Sequence, residues 1–373
     1  MRILIAGGHG GRSGVPSYIN QLALVLGQRN HVEIVCDTNE GVFDPMQPEI
    51  EAVHEVPGLF RNLNPVQIVS AGRGLLSVIR EMQPDLVWAN STITVVLARI
   101  LFTLAPGSTM RLITTYHGVP FGPGRKRGLA TALRLFEYAS LLLSRRHELV
   151  FISQKDRKLI PHWLARRHRT WNLENCSSLT YLRDPDSIAP DTPIRITIIG
   201  RVSYQKNILA AADLFSHMSE SCQLEIAGNG TNDMVFQSEF LSRLPARDHI
   251  RVKFTGECTN VPDLLARTDV LLFTSRYEGM SIAALEAFQA GVPVASTDVG
   301  GVEEYLSATR YFTLIDVSDQ EKISRSAIAI EELVISYRNA LPKSRADIRE
   351  AWAGRFSLDV WQGRVREIAQ AYE

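Results

Sequence analysis

No stretch of this 373-residue chain approaches the roughly 20 consecutive apolar positions that a membrane-spanning helix needs. The N-terminal MRILIAGG runs straight into glycine-rich sequence with no signal-peptide cleavage region, and the two absences together predict a soluble protein of the cytoplasm. Cysteine is scarce. Cys36, Cys176, Cys222 and Cys258 are scattered, with none of the CxxC spacing of a metal site, so they are expected to be reduced and buried or neutral. The nine histidines form no HExxH or HxxxH pattern, and a protein-held metal is therefore not expected. Neither sign of charge is in excess, with 40 Lys/Arg against 40 Asp/Glu.

That neutrality conceals an asymmetry. Residues 1–190 carry 21 Lys/Arg against 15 Asp/Glu, and the remainder carries 19 against 25. Residues 122–169 alone hold 12 basic residues against Glu137, Glu148 and Asp156. Such a patch attracts phosphorylated substrates or an anionic membrane surface, or else it is a set of solvated arginines at helix ends. Arg125, Lys126 and Arg127, ahead of LATALRLFEYASLLL, motivate a peripheral membrane contact, while the apolar helix itself reads as core of a first domain.

What is present is a two-domain α/β pattern. With 45% apolar residues the chain can bury substantial cores, and its length favours two domains over one. Short β-branched runs alternate with helix-period segments, the rhythm of a doubly wound parallel sheet. RILIAGG, HVEIVCD, PDLVWAN, RLITTYHG and ELVFIS are the strands of a first half. A linker rich in proline and aspartate follows at 182–194. IRITIIGR, CQLEIAG, IRVKFTG, DVLLFTS and VPVAST then give a second sheet. Ligands of such sheets bind beyond the carboxyl ends of the strands, which places the expected site in a cleft between the domains. The closing FSLDVWQGRVREIAQAYE is one more amphipathic helix.

Three segments carry candidate chemistry. GGHGGRSGVPSYINQLALVLGQ follows the first strand. Its glycines at 7, 8, 10, 11 and 14 leave backbone amides bare for a phosphate or sugar, and Pro16 suits the first helical turn. IIGRVSYQKN occupies the equivalent strand end of the second domain, where Arg201 and Lys206 would neutralise a diphosphate more strongly as it becomes a leaving group. TSRYEGMSIAALEAFQAGVPV supplies two carboxylates eight positions apart. Ser281 is the expected N-cap of a helix that runs to about Ala290 and stops at Gly291; Glu278 lies on the loop before it and Glu286 in its second turn. Both carboxylates suit paired sugar hydroxyls, and the amides of residues 279 to 282 suit an anion; a salt-bridged Glu286 and a loop-capping Glu278 are the structural alternative.

GRVSYQKN, LEIAGNG and VKFTGECTNVPDLLARTDVLLFTSRYEGMSIAALEAFQAGVPVASTDVGG, in this order and spacing, resemble the retaining glycosyltransferases of family 4, glycosyl transferases group 1, whose E-x7-E signature is the glutamate pair. In the first half Ser13 and Gly14 align with that family's glycine pair, and TTYHG with a strand ending in a histidine, His117. The resemblance implies the GT-B fold: two Rossmann-like, doubly wound parallel-sheet domains facing across a cleft. It implies an acceptor-binding domain over 1–185 with a returning helix at about 358–373, and a nucleotide-sugar domain over 190–357. Glu286 would hold the ribose, Glu278 the transferred sugar, and Arg201 and Lys206 the diphosphate. Gly14 would approach donor or acceptor and His117 would sit beside the sugar. Backbone around Gly200, Gly228, Glu257, Cys258, Gly279, Met280, Ser281 and Ile282 would line the donor. The implied activity is metal-independent, cofactor-free, retaining transfer of a hexose from a UDP- or GDP-sugar to a glycan or lipid-linked acceptor, in bacterial cell-surface or exopolysaccharide synthesis. A GT-B-like nucleotide-sugar epimerase or phosphorylase would use the same cleft without a separate sugar acceptor but lacks support from the glutamate spacing, and a non-catalytic nucleotide-sugar-binding protein is the third alternative.

Overall fold

The structure, a computed structural model, describes residues 1–11, 14–60, 64–107, 109–122, 127–182, 192–307 and 309–371, with Arg127 described by its backbone alone. The chain divides into two compact units, Met1–Asn175 with Trp361–Glu373, and Cys176–Val360. The expected boundary between 185 and 190 lies outside the described residues, as do Ser13, Arg125 and Lys126.

Among the described residues, the first unit has seven parallel strands: β1 (Arg2–Ala6), β2 (His31–Cys36), β3 (Ala52–Glu55), β4 (Leu86–Ala89), β5 (Arg111–Tyr116), β6 (Glu148–Phe151) and β7 (Arg169–Asn172). Their spatial order is β3-β2-β1-β4-β5-β6-β7. Ile3 stands opposite Val32 on one side and Leu86 on the other. The second unit has, among the described residues, six parallel strands: β8 (Ile194–Ile199), β9 (Cys222–Ala227), β10 (Val252–Gly256), β11 (Val270–Phe273), β12 (Val294–Thr297) and β13 (Phe312–Ile315), in the order β10-β9-β8-β11-β12-β13. Central strands such as β4, β6 and β11 are buried at every residue, as a parallel sheet covered by helices on both faces requires. That is why they read as continuous apolar runs.

All ten strands expected from the sequence are present. The three additional ones, β3, β7 and β13, are edge strands of mixed polarity and mostly partial burial. With one neighbour and little buried surface, an edge strand needs no apolar run.

The glycines after β1 divide into two jobs. Gly7 adopts φ +114°, and a side chain there would drive its Cβ into the carbonyl oxygen of Asn90, just beyond β4. Gly10 and Gly11 press against Asn39 and Glu40, with the Gly10 amide donating to the Thr38 carbonyl at 2.6 Å, so they serve packing within the unit rather than an open approach to ligand. Gly7→Ala is accordingly expected to destabilise the first unit by about 2 kcal/mol or more through strain and overlap with backbone, read as a lowered midpoint in urea unfolding.

Helix Gly14–Gly27 follows this loop and buries Tyr18, Ile19, Leu22 and Leu26. The last helix, Leu358–Gln370, joins the first unit from Trp361 onward; the Trp361 ring lies 5.4 Å from that of Tyr18, edge to face. The Arg111 Nη1 donates to the Ala369 carbonyl at 3.3 Å and the Arg366 Nη2 to Gln28 Oε1 at 3.1 Å.

Helix Arg127–Leu143 corrects one expectation. It is core on one side alone, where Leu141 packs with Leu149, Phe151 and Leu164; Leu129, Leu135, Phe136, Leu142 and Leu143 face outward. Among the described residues no helix is long and apolar enough to cross a membrane.

Candidate active site

In the second unit every strand points the same way, so all the strand-to-helix loops leave from one edge. The order of strands reverses between β8 and β11, where successive loops diverge and leave a crevice at the carboxyl ends. Two loops meet there. The Arg276 amide donates to the Gln205 carbonyl at 2.8 Å, the Arg276 guanidinium donates to the Tyr204 carbonyl at 2.7 Å, and it lies 4.2 Å from the Tyr204 ring centre. The Thr274 hydroxyl donates to the Asn207 carbonyl at 3.0 Å. Gly200 and Gly228 approach so closely that a Cβ on Gly228 would overlap the Gly200 carbonyl.

The joined loops present a lysine and a carboxylate to each other. Lys206 Nζ lies 2.7 Å from Glu278 Oε1, with side-chain exposures of 20% and 9%. Glu278 also accepts from the Ser275 hydroxyl at 2.8 Å on Oε1 and from the Gln205 amide at 3.2 Å on Oε2. A carboxylate held on both oxygens is fixed in orientation and a poor nucleophile; it is well suited to receive a further hydroxyl at a set position. Arg201, by contrast, is exposed and has no partner among the described residues.

Helix Ile282–Ala290 begins and ends where expected. Ser281 takes the N-cap position with extended backbone, but its hydroxyl makes no capping hydrogen bond, so it does not close off the amides that open the helix. Gly291 ends the helix at φ +77°, its amide returning to the Ala287 and Phe288 carbonyls. The buried Tyr305 hydroxyl takes the Ser281 amide, and burial pushes that phenol upward. Behind the turn, the Gly279 carbonyl fits against Gly300 at φ +57°, where any Cβ would collide with it. Met280 is buried, leaving only its backbone for a ligand, and Ile282 is half-buried. Glu286 is half-buried, and desolvation pushes its carboxyl up to about 7. On the loop after β10, burial raises the half-buried Cys258 thiol, with Glu225 and Glu286 adding smaller contributions in the same direction, and Glu257 is exposed.

The first unit repeats the topology, with its reversal between β1 and β4. His117 follows β5, and its Nε2 lies 3.1 Å from Asn90 Oδ1 at the end of β4. Its ring meets the Tyr18 ring edge to face at 4.6 Å, and burial pushes the imidazole down to about 4, so it is neutral at physiological pH. Gly14 opens its helix and is exposed.

Residues 183–350 match the family model described as glycosyl transferases group 1, and residues 12–171 match that described as glycosyltransferase family 4. The chain belongs to glycosyltransferase family 4. This family 4 chain is 36% identical over 151 residues to the lipopolysaccharide core biosynthesis mannosyltransferase LpsB of Rhizobium meliloti, a match spanning 40% of this chain and 41% of that protein. It is 21% identical over 300 residues to the UDP-Gal:alpha-D-GlcNAc-diphosphoundecaprenol alpha-1,3-galactosyltransferase of Escherichia coli, over 76% of this chain and 75% of that one. Among solved structures, sucrose-phosphate synthase from Thermosynechococcus elongatus superposes with a TM-score of 0.78 at 15% identity, covering 100% of this chain and 98% of that one. Anabaena HepE in complex with UDP-glucose superposes with a TM-score of 0.71 at 17% identity, covering all of both chains. These similarities make the fold GT-B.

Of the residues singled out in the sequence of this family 4 chain, Arg201, Lys206, Glu278 and Glu286 share the carboxyl edge of the second sheet with the glycines at 200, 228 and 279. His117 and Gly14 stand on the corresponding edge of the first sheet. Gln205, Ser275 and Tyr305 went unnoticed, although each holds the site in shape. Gln205 and Ser275 lie inside IIGRVSYQKN and TSRYEGMSIAALEAFQAGVPV, but an amide or a hydroxyl beside a charged residue is too common to signal a role. Asn90 and Tyr18, which surround His117, reach it only through the pairing of β1, β4 and β5.

Proposed function

We propose that the chain transfers a hexose from a UDP- or GDP-sugar to a glycan or lipid-linked acceptor, with retention of configuration and without a metal, acting in the cytoplasm in bacterial cell-surface polysaccharide synthesis. The observation that carries this reading is the Lys206–Glu278 pair at the reversal point of the second sheet, with unpaired Arg201 on the same loop as Lys206. Cations held there suit a diphosphate, and an oriented carboxylate suits a sugar hydroxyl. The relatives support the same class: one is named for a UDP-linked donor and a diphosphoundecaprenol-linked sugar, and HepE is described with UDP-glucose.

In this reading the bond from the sugar's anomeric carbon to the diphosphate oxygen breaks with its electron pair going to that oxygen. Arg201 and Lys206 balance the growing charge. Lys206 gives one N–H to Glu278 and keeps two for phosphate oxygens. The acceptor hydroxyl then adds on the face the diphosphate leaves, and its proton passes to the departing oxygen. Glu278 positions the sugar and Glu286 accepts from the ribose hydroxyls. Backbone at Gly200, Gly228, Glu257, Cys258 and 279–282 lines the donor, Gly14 approaches donor or acceptor, and neutral His117 sits beside the transferred sugar.

Purified protein is expected to release nucleoside diphosphate from one donor faster when bacterial glycan or lipid extracts are added, and at an unchanged rate in EDTA. A thermal-shift panel of UDP, GDP and ADP identifies the base. Release that ignores every acceptor would favour an epimerase, phosphorylase or binding role, and activity lost in EDTA and restored by a divalent cation would overturn the metal-free reading.

A further inference from the structure

The residues that open the second unit, 176–182, have no regular structure, yet they are held at three points. The Ser177 hydroxyl takes the Trp352 indole N–H at 2.8 Å, and the Ser177 amide donates to the Phe356 carbonyl at 3.3 Å. Two residues on, the Gln289 side chain pairs with Leu179 as a neighbouring strand would. Its Oε1 accepts the Leu179 amide at 2.9 Å and its Nε2 donates to the Leu179 carbonyl at 3.4 Å. Gln289 is buried, so breaking this reciprocal pair would leave polar groups unsatisfied away from water. Two residues further, the Tyr181 hydroxyl donates to Asn260 Oδ1 at 2.9 Å.

Two of these anchors belong to elements of the donor site. Gln289 lies three residues beyond Glu286 on helix Ile282–Ala290, on the same side of it. Asn260 ends the loop after β10 that carries Glu257 and Cys258, and it caps helix Val261–Ala266. Its Oδ1 accepts the Asp263 amide at 3.1 Å, and its Nδ2 donates to Asp263 Oδ2 at 2.8 Å. That short helix packs against the helix of Glu286. Tyr181 therefore stands beside the loop after β10 with its hydroxyl fixed, while 45% of the residue stays exposed. Among the described residues no aromatic ring or cation stacks on it.

We propose that Tyr181 forms a wall of the nucleobase pocket, the base of the donor lying on its ring beside the loop of Glu257 and Cys258. This role rests on the transfer reading, which gives the ribose to Glu286. The base is bonded directly to the ribose, on the side away from the diphosphate, so it comes next after Glu286 along the nucleotide. A planar base gains most from a flat aromatic face. The ring pinned at Asn260 has little rotamer freedom left to lose when a ligand arrives. Its hydroxyl is spent on Asn260, so it contributes by stacking, which every base can accept. Tyr181 thus separates a nucleotide from a bare diphosphate rather than one base from another.

The test is calorimetric titration of the full chain with UDP, GDP and pyrophosphate. Tyr181→Ala is expected to weaken nucleotide binding at least about tenfold and to leave pyrophosphate binding unchanged. Tyr181→Phe keeps the ring face and loses only the bond to Asn260, so nucleotide affinity should stay within about threefold of the unaltered chain. Melting temperatures of both variants should be unchanged, because the side chain is largely exposed. In the transfer assay Tyr181→Ala should raise the donor KM with kcat unchanged, since the base is remote from the bond that breaks. Undiminished nucleotide binding by Tyr181→Ala, equal losses in Tyr181→Ala and Tyr181→Phe, or an equal loss for pyrophosphate overturns the proposal. An unaltered chain that binds neither nucleotide overturns the transfer reading and this role with it, whereas nucleotide binding indifferent to Tyr181 removes this role alone.

Discussion

Replacing Lys206 by Ala is expected to lower the rate of sugar transfer about a thousandfold while the chain remains folded, the scale seen when one preorganised donor is removed from a site of developing charge. Lys206 is the less exposed member of the cation pair, half-buried, and its charge acts where water is partly excluded. Exposed Arg201 is left to carry the diphosphate alone. The same change removes one of the three partners of Glu278 but leaves Ser275 and Gln205. Loss of a partly exposed pair costs about 1–2 kcal/mol, below the figure for a fully buried one, so the unfolding midpoint should fall only slightly. Pairing Lys206→Ala with Glu278→Gln removes the uncompensated carboxylate and should restore the midpoint without restoring the rate. Nucleoside diphosphate release and thermal unfolding measured on both variants check this. A rate within tenfold of the unaltered chain would remove Lys206 from the proposed machinery.

The second large effect concerns Glu286. Its carboxylate is proposed to accept both ribose hydroxyls, whereas Gln offers a single acceptor oxygen. Hydrogen bonds to a charged group contribute about 1.5–3 kcal/mol, so Glu286→Gln should weaken nucleotide binding by about a hundredfold under alkaline conditions. The pH dependence follows from burial. The carboxyl titrates near 7 instead of its ordinary 4.5, so in the free chain it is largely protonated below neutrality. Hydroxyl donors favour the ionised form. Affinity for the nucleotide should therefore rise as pH increases through about 7 and then level, while the Gln variant shows little dependence in that window. Calorimetric titration of UDP and GDP across neutral pH checks both curves, and a flat wild-type profile would detach Glu286 from the ribose.

Stability moves the other way. Between 4.5 and about 7 the folded chain keeps a proton that the unfolded chain has lost, so this group's contribution falls as pH rises through that interval and is constant above it. His117 acts oppositely: with its imidazole held down to about 4, folded stability falls as pH drops from 6.5 toward 4. Glu286→Gln should remove the first slope and leave the second.

Much of this is legible in the amino-acid sequence itself. Buried parallel strands must be apolar at nearly every position, and so ten of the thirteen strands among the described residues declared themselves. The helix bearing Glu286 announced its limits because Ser281 and Gly291 are residue types suited to those ends. The edge strands were silent because half-buried backbone accepts almost any side chain. The helix at 127–143 misled because an apolar face looks the same whether it meets a core or stands exposed.

The roles within the glycine-rich loop were not legible either. Gly7, Gly10 and Gly11 read alike as bare backbone, yet Gly7 is fixed by Asn90 and the other two by Asn39 and Glu40, contacts 29 to 83 residues away in the chain. The grip on Glu278 has the same origin: Ser275 is three residues away, but Gln205 and Lys206 are more than seventy, and they meet it only because β8 and β11 pair. Sequence alone determined which segments are buried strands, where the helix bearing Glu286 starts and stops, and which loops hold charged groups, because periodicity, capping and chain reversal depend on near neighbours. Tertiary structure alone decided which of those groups touch, which are desolvated, and which apolar face is left to solvent, because contact and dielectric environment depend on residues that pairing brings together from distant parts of the chain.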